Sequence, residues 1–179
     1  FEKDLVAEKR WIYEQKLNIN LQEKQYLFDS LLINYRPQNR YYSYDFFLDN
    51  CATRIRNIFV EAIPRKITFD YRSFEKGMSY RQLLMPSLTQ KPWSKLGINL
   101  LLGLSADKVA SPWDYMYLPT YLHDAFEHAL FSSDSIKTPF AQKTQVLLAG
   151  EQPTKGITLW APQWVFLFIL VVALLITYT

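Results

Sequence analysis

The chain has 179 residues, a formal net charge of +3 and a single cysteine. This length suits one domain, and one cysteine excludes both an internal disulfide and a metal site built from several cysteines. The charge is too small to indicate nucleic-acid binding. The five glycines are scattered singly. The sequence therefore contains no glycine-rich phosphate-binding loop, and we predict no cofactor. Aromatic residues, at 16%, predict an aromatic-rich core or a membrane-facing surface.

The front of the chain alternates between helical and strand-like patterns of apolar residues. Asn20 and Glu23 form a capping-box pattern at the start of one helix. The predicted elements are a charged helix over 2–16, a helix over 21–34, an aromatic strand over 41–47, a helix over 51–63 and a short strand over 66–70.

The next part of the chain, up to residue 150, is predicted to be mainly helical. Its elements are a short helix over 80–84, a helix opened by Pro92 and stopped by Gly103, a helical piece from Pro112, a helix over 121–131 and a strand over 144–148. The predicted fold class is therefore α+β, mostly helical with a few short strands.

The C-terminal end carries an unbroken apolar run from Val165 to Ile176, preceded by Trp160 and Trp164. As one helix, residues 160–179 would span about 30 Å, close to the thickness of a bilayer core, with the tryptophans at its interface. We therefore predict a domain over 1–150, a linker over 151–159 and the start of a transmembrane region over 160–179. A buried core helix is the alternative.

Cys51 is the candidate catalytic residue, because it lies where the aromatic run turns into an amphipathic helix. Asn50 is a good N-cap for that helix. The unpaired N–H groups of the first helical turn and the charge of Arg54, three residues on, both favour the thiolate, which is the nucleophilic form. The alternative is that Cys51 is a small packing residue, which is common for a free cysteine.

His123 and His128 are the only histidines, and on a helix their side chains would point about 140° apart. They cannot share a metal as an i,i+4 pair does. No local pattern links either of them to Cys51, so ordinary surface or interface histidines are the better interpretation. We predict no metal site.

The segment from Arg72 to Lys95 is locally basic, with five cationic side chains against Glu75 alone. Such a segment could meet anionic lipid head groups. A solvated basic face is the commoner explanation of the same pattern.

Several motifs resemble those of a known family. They are Arg36-Pro-Gln-Asn-Arg40-Tyr-Tyr42-x-Tyr44-Asp-Phe46, Asp49-Asn-Cys51-Ala-Thr53-Arg54, Tyr80-Arg-x-Leu-Leu84, Pro92-Trp93 and Tyr117-Leu-Pro-x-Tyr-Leu122. The chain resembles the periplasmic domain of the Lnb-type lipoprotein N-acyltransferases of the Bacteroidota. The resemblance covers nearly all of the chain before the apolar run.

That resemblance implies a permuted papain-like (NlpC-type) thiol fold, of the kind seen in lecithin:retinol acyltransferase relatives. In such a fold the catalytic histidine precedes the cysteine, so it is expected upstream of residue 1, and the chain would be the back part of the site. The resemblance also implies Cys51 as the nucleophile, with Asn50 and Arg54 as supports at the helix start.

The implied activity is transfer of a fatty acyl chain from a phospholipid, through a thioester on Cys51, to the N-terminal amine of a bacterial lipoprotein. The implied location is the bacterial inner membrane with the domain in the periplasm, in contact with the bilayer. Two alternatives are a cysteine hydrolase of peptidoglycan or acyl esters, and a catalytically silent subunit of an envelope protein complex.

Overall fold

The structure is a computed structural model that describes residues 10–132, 137–151 and 161–178. The α-helices in these ranges are α1 (Leu21–Tyr35), α2 (Cys51–Ala62), α3 (Tyr80–Leu84), α4 (Pro92–Leu101), α5 (Pro119–His128) and α6 (Pro162–Tyr178). The strands are β1 (Ile12–Glu14), β2 (Lys66–Thr68), β3 (Leu130–Ser132), β4 (Lys137–Pro139) and β5 (Gln145–Leu148). Three short 3₁₀ helices cover Met85–Leu88, Leu104–Asp107 and Asp114–Tyr117. The predicted α+β class is confirmed.

The chain divides into two compact units. Unit 1 joins Phe1–Gly77 to Ala110–Glu151 and holds α1, α2, α5 and the five strands. Unit 2 joins Met78–Val109 to Gln152–Thr179 and holds α3, α4 and α6. The predicted domain and linker boundaries stay predictions, and residues 152–159 of that linker lie outside the described residues.

Unit 1 contains two small antiparallel sheets. β1 pairs with β5, and β3 lies between β2 and β4. An aromatic cluster forms next to the second sheet, where the Phe140 ring meets those of Phe126 and Phe131 at 5.1 and 5.3 Å between centroids. Such edge-to-face pairs stabilise a core beyond the area they bury. The expected aromatic-rich core is thus present in unit 1.

The helix predicted over residues 2–16 is wrong where the structure describes it. Ile12–Glu14 forms β1, whose partner β5 lies far along the chain at Gln145–Leu148. Pairing with a distant strand outweighs the helical preference of this short segment, because tertiary contacts routinely override local propensity. Residues 1–9 lie outside the described residues.

The strand predicted over residues 41–47 is also wrong. Asp45 and Asp49 instead exchange two backbone hydrogen bonds of 3.1 Å and close a tight turn. The Asp45 carboxylate accepts the N–H groups of Phe47 and Leu48, at 2.9 and 2.8 Å. A side chain that bonds its own following backbone in this way competes with strand pairing.

The helix predicted over residues 121–131 ends earlier than expected. α5 stops at His128, and Phe131 lies in β3, where it is buried and paired with both neighbouring strands. Hydrogen bonding to β2 and β4, together with burial of the Phe131 ring, stabilises a strand here more than one further helical turn would. The predictions of β2, α3, the helix opened by Pro92 and β5 are confirmed within a few residues.

The predicted transmembrane helix is wrong. α6 has 17 residues, a rise of about 25 Å, which is short of the ~30 Å core of a bilayer. Within the described ranges no helix combines the length and apolar character that crossing a membrane requires. Trp160 and Thr179, the ends of the predicted span, lie outside those ranges.

Glu23 is a buried carboxylate at the start of α1, only 3% exposed. It closes the capping box predicted with Asn20, and Arg65 donates to its Oε2 at 2.6 Å. The Arg65 hydrogen bond lowers the pKa of Glu23 from its ordinary 4.5. A carboxyl with a lowered folded pKa stabilises the fold above its unfolded pKa, and this is lost as pH falls through the folded value.

We therefore expect Glu23→Gln to reduce the free energy of unfolding by about 2 kcal/mol at pH 7, because it removes hydrogen bonds to a charged group. The difference from the unsubstituted protein should shrink as pH falls below 4.5. Urea unfolding between pH 3 and 7 measures it. Glu14→Gln is the control, since Glu14 pairs with Lys16 at 3.6 Å on the surface. Equal effects of both changes would contradict the expectation.

Candidate active site

Helix α2 begins at Cys51, and Asn50 caps it as predicted. The Asn50 Oδ1 accepts the N–H groups of Ala52 and Thr53, at 2.9 and 3.0 Å. The Thr53 hydroxyl in turn accepts the Asn50 N–H at 2.8 Å, which completes a capping box. The start of the helix is therefore fixed by the sequence immediately around the cysteine.

Asn50 also ties the helix start to the rest of unit 1. Its side-chain amide donates to the carbonyl oxygens of Phe46 and Tyr117, at 3.0 and 2.9 Å. The rings of Phe46 and Phe47 pack edge-on against Tyr117, with centroids 6.1 and 5.5 Å apart. The aromatic lead-in thus does not form a strand but fixes the N-cap of α2 in place.

Cys51 is exposed and lines an open pocket of about 250 Å³. The pocket is mostly apolar and will be called the Cys51 pocket; its lining residues are Gln15, Cys51, Ala52, Ile55, Pro119, Leu122, His123 and Phe126. An exposed thiol at the edge of an apolar pocket differs from the buried packing cysteine that was the alternative interpretation.

His123 also lines the Cys51 pocket, whereas His128 does not. Both are predicted to be ordinary surface or interface histidines. His128 is exposed, and its Nδ1 lies 2.9 Å from the Asp124 carbonyl oxygen. No local pattern could have singled out His123, because the packing of α5 beside α2 brings it to the pocket.

The His123 imidazole belongs to a hydrogen-bonded chain. Its Nε2 lies 3.2 Å from Thr144 Oγ1, and Thr144 donates to Glu127 Oε2 at 2.6 Å. The Thr144 hydrogen bond lowers the pKa of Glu127, with a further contribution from the charge of His123 when protonated. Gln15 donates to Thr144 Oγ1 at 3.2 Å and to the His123 carbonyl oxygen at 2.9 Å.

Arg54 faces a different pocket from Cys51. Its guanidinium donates to both carboxylate oxygens of Asp49, at 2.5 and 2.6 Å, and lies over the Tyr42 ring at 4.0 Å. The Asp49 hydrogen bond raises the pKa of Arg54. The positive charge that was expected to act on the thiol is thus compensated locally by Asp49, and its supporting role stays a prediction.

The backbone of the α2 start offers one donor toward a reacting group. Asn50 occupies the N–H groups of Ala52 and Thr53 through its side chain, and that of Arg54 through its carbonyl oxygen. The Cys51 N–H has no hydrogen-bond partner within the part of the chain that the structure describes. One backbone N–H at the nucleophile is a usual component of an oxyanion hole.

Over residues 10–132, 137–151 and 161–178, no three side chains of His, Cys, Asp or Glu type lie close enough together to hold a metal ion. The groups that the structure places at the Cys51 pocket are a thiol, an imidazole and the Cys51 N–H.

A comparison with known protein families matches the front part of the chain. Residues 4–84 match the sequence model of the family described as "Lnb N-terminal periplasmic domain", somewhat less than half of the chain. Neither the curated proteins nor the solved structures gave a match. The permuted papain-like fold and the Bacteroidota origin stay predictions. The part of the chain that carries Cys51 and its cap is thus similar to the N-terminal periplasmic domain of the Lnb family, which supports an envelope protein of the Lnb type.

Proposed function

We propose that this protein is a cysteine-dependent acyltransferase that moves a fatty acyl chain from a phospholipid to the N-terminal amine of a bacterial lipoprotein. The observation that carries the proposal is the exposed thiol of Cys51 at the start of α2, opening on an apolar pocket. The match of residues 4–84 to an Lnb periplasmic domain supports it.

The reaction has two steps, and each passes through a tetrahedral intermediate at the acyl carbon. In the first, the Cys51 sulfur loses its proton and attacks the ester carbonyl of the phospholipid; the C–O bond breaks, and the lysophospholipid alkoxide leaves with a proton. In the second, the lipoprotein amine attacks the thioester, loses a proton, and the C–S bond breaks to return the thiol. The Cys51 N–H can donate to the oxyanion in both steps.

The Cys51 pocket suits the acyl side of this reaction. Ile55, Leu122 and Phe126 give it apolar walls, and its volume is about 250 Å³. This accommodates the reacting ester and the first carbons of an acyl chain. Burying those methylenes is worth about 0.8 kcal/mol each, which would hold the acyl chain in the pocket while the amine arrives.

Location in the periplasm at the inner membrane is part of the same proposal, because both substrates are anchored there. Unit 2 carries a surface suited to a bilayer: Leu100, Leu101 and Leu104 are 76%, 86% and 87% exposed. Lys95 and Lys108 lie in the same stretch of chain. Exposed leucines beside lysines are typical of segments that insert shallowly between anionic head groups.

We expect Leu101→Glu to weaken binding to vesicles rich in phosphatidylglycerol at least tenfold, because a leucine side chain contributes about 1.5–3 kcal/mol when buried in lipid. Cosedimentation with the vesicles measures it. The control is Leu21→Glu, an equally exposed leucine of α1 in unit 1. If both substitutions weaken binding alike, or neither does, the leucine surface of unit 2 is not the contact.

The acyl transfer itself is tested by mass spectrometry. The protein is mixed with a phospholipid and a synthetic diacylated lipopeptide. The masses of the protein and of the lipopeptide are then measured over time. The proposal expects an added acyl group first on the protein, at Cys51, and then on the lipopeptide amine. Free fatty acid without acylated amine, or cleaved muropeptide in a parallel reaction with peptidoglycan, would instead indicate the hydrolase. No reaction in either mixture would indicate a silent subunit of an envelope complex.

A further inference from the structure

The proposed reaction needs a base for the Cys51 thiol, and a single histidine of this chain lies at the pocket. His123 is half-buried on α5 and lines the Cys51 pocket together with the cysteine. Its Nδ1 has no hydrogen-bond partner among the residues that the structure describes. The other ring nitrogen, Nε2, is held by Thr144 at 3.2 Å.

The hydrogen-bonded chain behind the imidazole determines which nitrogen carries the proton. Glu127, whose pKa is lowered chiefly by its hydrogen bond with Thr144, is ionised at neutral pH and can only accept. Thr144 must then give its single hydroxyl hydrogen to Glu127, at 2.6 Å. Its oxygen is left to accept, so His123 Nε2 is the protonated nitrogen of the neutral ring and Nδ1 carries the lone pair.

Gln15 makes this arrangement more rigid. It follows β1 and donates to both the His123 carbonyl oxygen and Thr144 Oγ1, while Thr144 immediately precedes β5. The antiparallel pair of β1 and β5 therefore presents two polar side chains to α5, and both act on the same histidine. The Thr144 oxygen thus accepts from both Gln15 and His123 Nε2, so both of its lone pairs are occupied. The hydroxyl cannot turn to another partner without losing hydrogen bonds.

We propose that His123 Nδ1 is the base that takes the Cys51 proton, and that Thr144 and Glu127 are positioning residues that hold the imidazole in the required tautomer. This inference deepens the proposed function by naming its base within this chain. The order is cysteine before histidine, the reverse of the order that the family resemblance implies.

With this base, every proton in the two steps is accounted for, and no further reactant is needed. The Cys51 proton passes to His123 Nδ1 as the sulfur attacks the ester, and the imidazolium returns it to the lysophospholipid oxygen as the C–O bond breaks. In the second step Nδ1 takes a proton from the attacking amine and gives it to the Cys51 sulfur as the C–S bond breaks. The Glu127 charge, relayed through Thr144, favours the imidazolium in both intermediates.

Other titratable groups near His123 affect how the reactivity of Cys51 depends on pH. Within the described contacts, Tyr13 of β1 meets the His123 ring at 6.1 Å between centroids, and Glu127 lies one turn away on α5. His128, on the same helix, is directed to Asp124. We expect the alkylation rate between pH 5 and 8 to report the coupled Cys51–His123 pair.

The test is the rate at which iodoacetamide alkylates the protein between pH 5 and 8. Because Cys51 is the only cysteine, every label is at the site in question. We expect His123→Gln to slow alkylation at pH 6 at least tenfold and to move its pH profile to that of a simple peptide thiol. His128→Gln, the matched control, should stay within twofold of the unsubstituted protein.

A second pair of variants tests the hydrogen-bonded chain without removing the imidazole. Thr144→Val has the same shape but no hydroxyl, and we expect it to slow alkylation at pH 6 about threefold or more. Thr144→Ser keeps the hydroxyl and should restore the rate. Equal rates for Thr144→Val and Thr144→Ser would overturn the positioning role. A pH profile of His123→Gln that is unchanged from that of the unsubstituted protein would overturn the base. If His123→Gln does not fold, the Thr144 pair decides.

The outcomes also separate this inference from the function on which it rests. If acylation of the lipopeptide requires Cys51 but survives in His123→Gln, the function stands and this base is wrong. If alkylation depends on His123 while no acyl group ever reaches the protein, the pair stands and the acyltransferase proposal is wrong.

Discussion

Replacing Cys51 with alanine should abolish acylation of the lipopeptide, with a loss of at least a thousandfold in rate. Removing a nucleophile eliminates the covalent pathway, and what remains is only the effect of binding and oxyanion stabilisation. Mass spectrometry of the lipopeptide measures the loss, and the thioester should disappear from the protein at the same time. Cys51→Ser should retain little of the rate, since a hydroxyl is a far weaker nucleophile than a thiol.

Stability is the control for this prediction. Cys51 is exposed and occupies the first position of α2, where alanine is well tolerated. We therefore expect the free energy of unfolding to change by no more than about 0.5 kcal/mol. Acylation that continues in Cys51→Ala would reject the thioester mechanism, and a large loss of stability would show that the thiol has a packing role.

Replacing Asn50 with aspartate should destabilise unit 1 by about 3 kcal/mol. The aspartate still accepts from the helix N–H groups, but it loses the two hydrogens that Asn50 donates to Phe46 and Tyr117. Asn50 is 5% exposed, so two carbonyl oxygens would face a buried carboxylate. Removing hydrogen-bond donors at a buried site, and adding charge there, costs more than the loss of an ordinary cap.

The matched control is Asn20→Asp at the N-cap of α1. Asn20 makes the same kind of cap, accepting the Glu23 N–H at 2.9 Å, but it is exposed. We expect its free energy of unfolding to change by less than about 1 kcal/mol, because aspartate is as good an N-cap as asparagine. Urea unfolding of both variants, followed by far-UV circular dichroism, gives the comparison. Similar losses in both would mean that the cap alone, and not the tether to Phe46 and Tyr117, matters.

The Asn50 substitution should also act on chemistry. The cap determines where the Cys51 N–H points, and that group is the backbone donor available to an oxyanion. Asn50→Asp at a temperature where it remains folded should lower the rate of thioester formation more than it changes lipid binding. This links the stability of the helix start to the activity proposed for it.

The local parts of this protein could be predicted from its sequence because the forces that determine them act over a few residues. The Asn20–Glu23 capping box, the start of α2 at Cys51 and the helix opened by Pro92 all follow from side chains bonding to nearby backbone, or from the fixed backbone angle of proline. The exposure of Cys51 was not among them, since the apolar spacing of α2 also fitted a buried cysteine.

The failures come from segments whose state depends on distant partners. Ile12–Glu14 becomes a strand only because β5 lies beside it, and Phe131 leaves the helix only because β2 and β4 flank it. The apolar run at the C-terminal end looked like a span by composition, but α6 is 17 residues long in the structure. Length and pairing are properties of the folded chain, and apolar content alone does not fix them.

The sequence by itself determined the nucleophile candidate, its N-cap and the helix that presents it, because hydrogen bonds between neighbouring residues place all three. Only the tertiary structure brought His123 to the same pocket and held it with Thr144 and Gln15, which is 108 residues away from the histidine. Contacts between residues so far apart in sequence depend on closing long loops and burying an aromatic core. No local sequence pattern therefore predicts them.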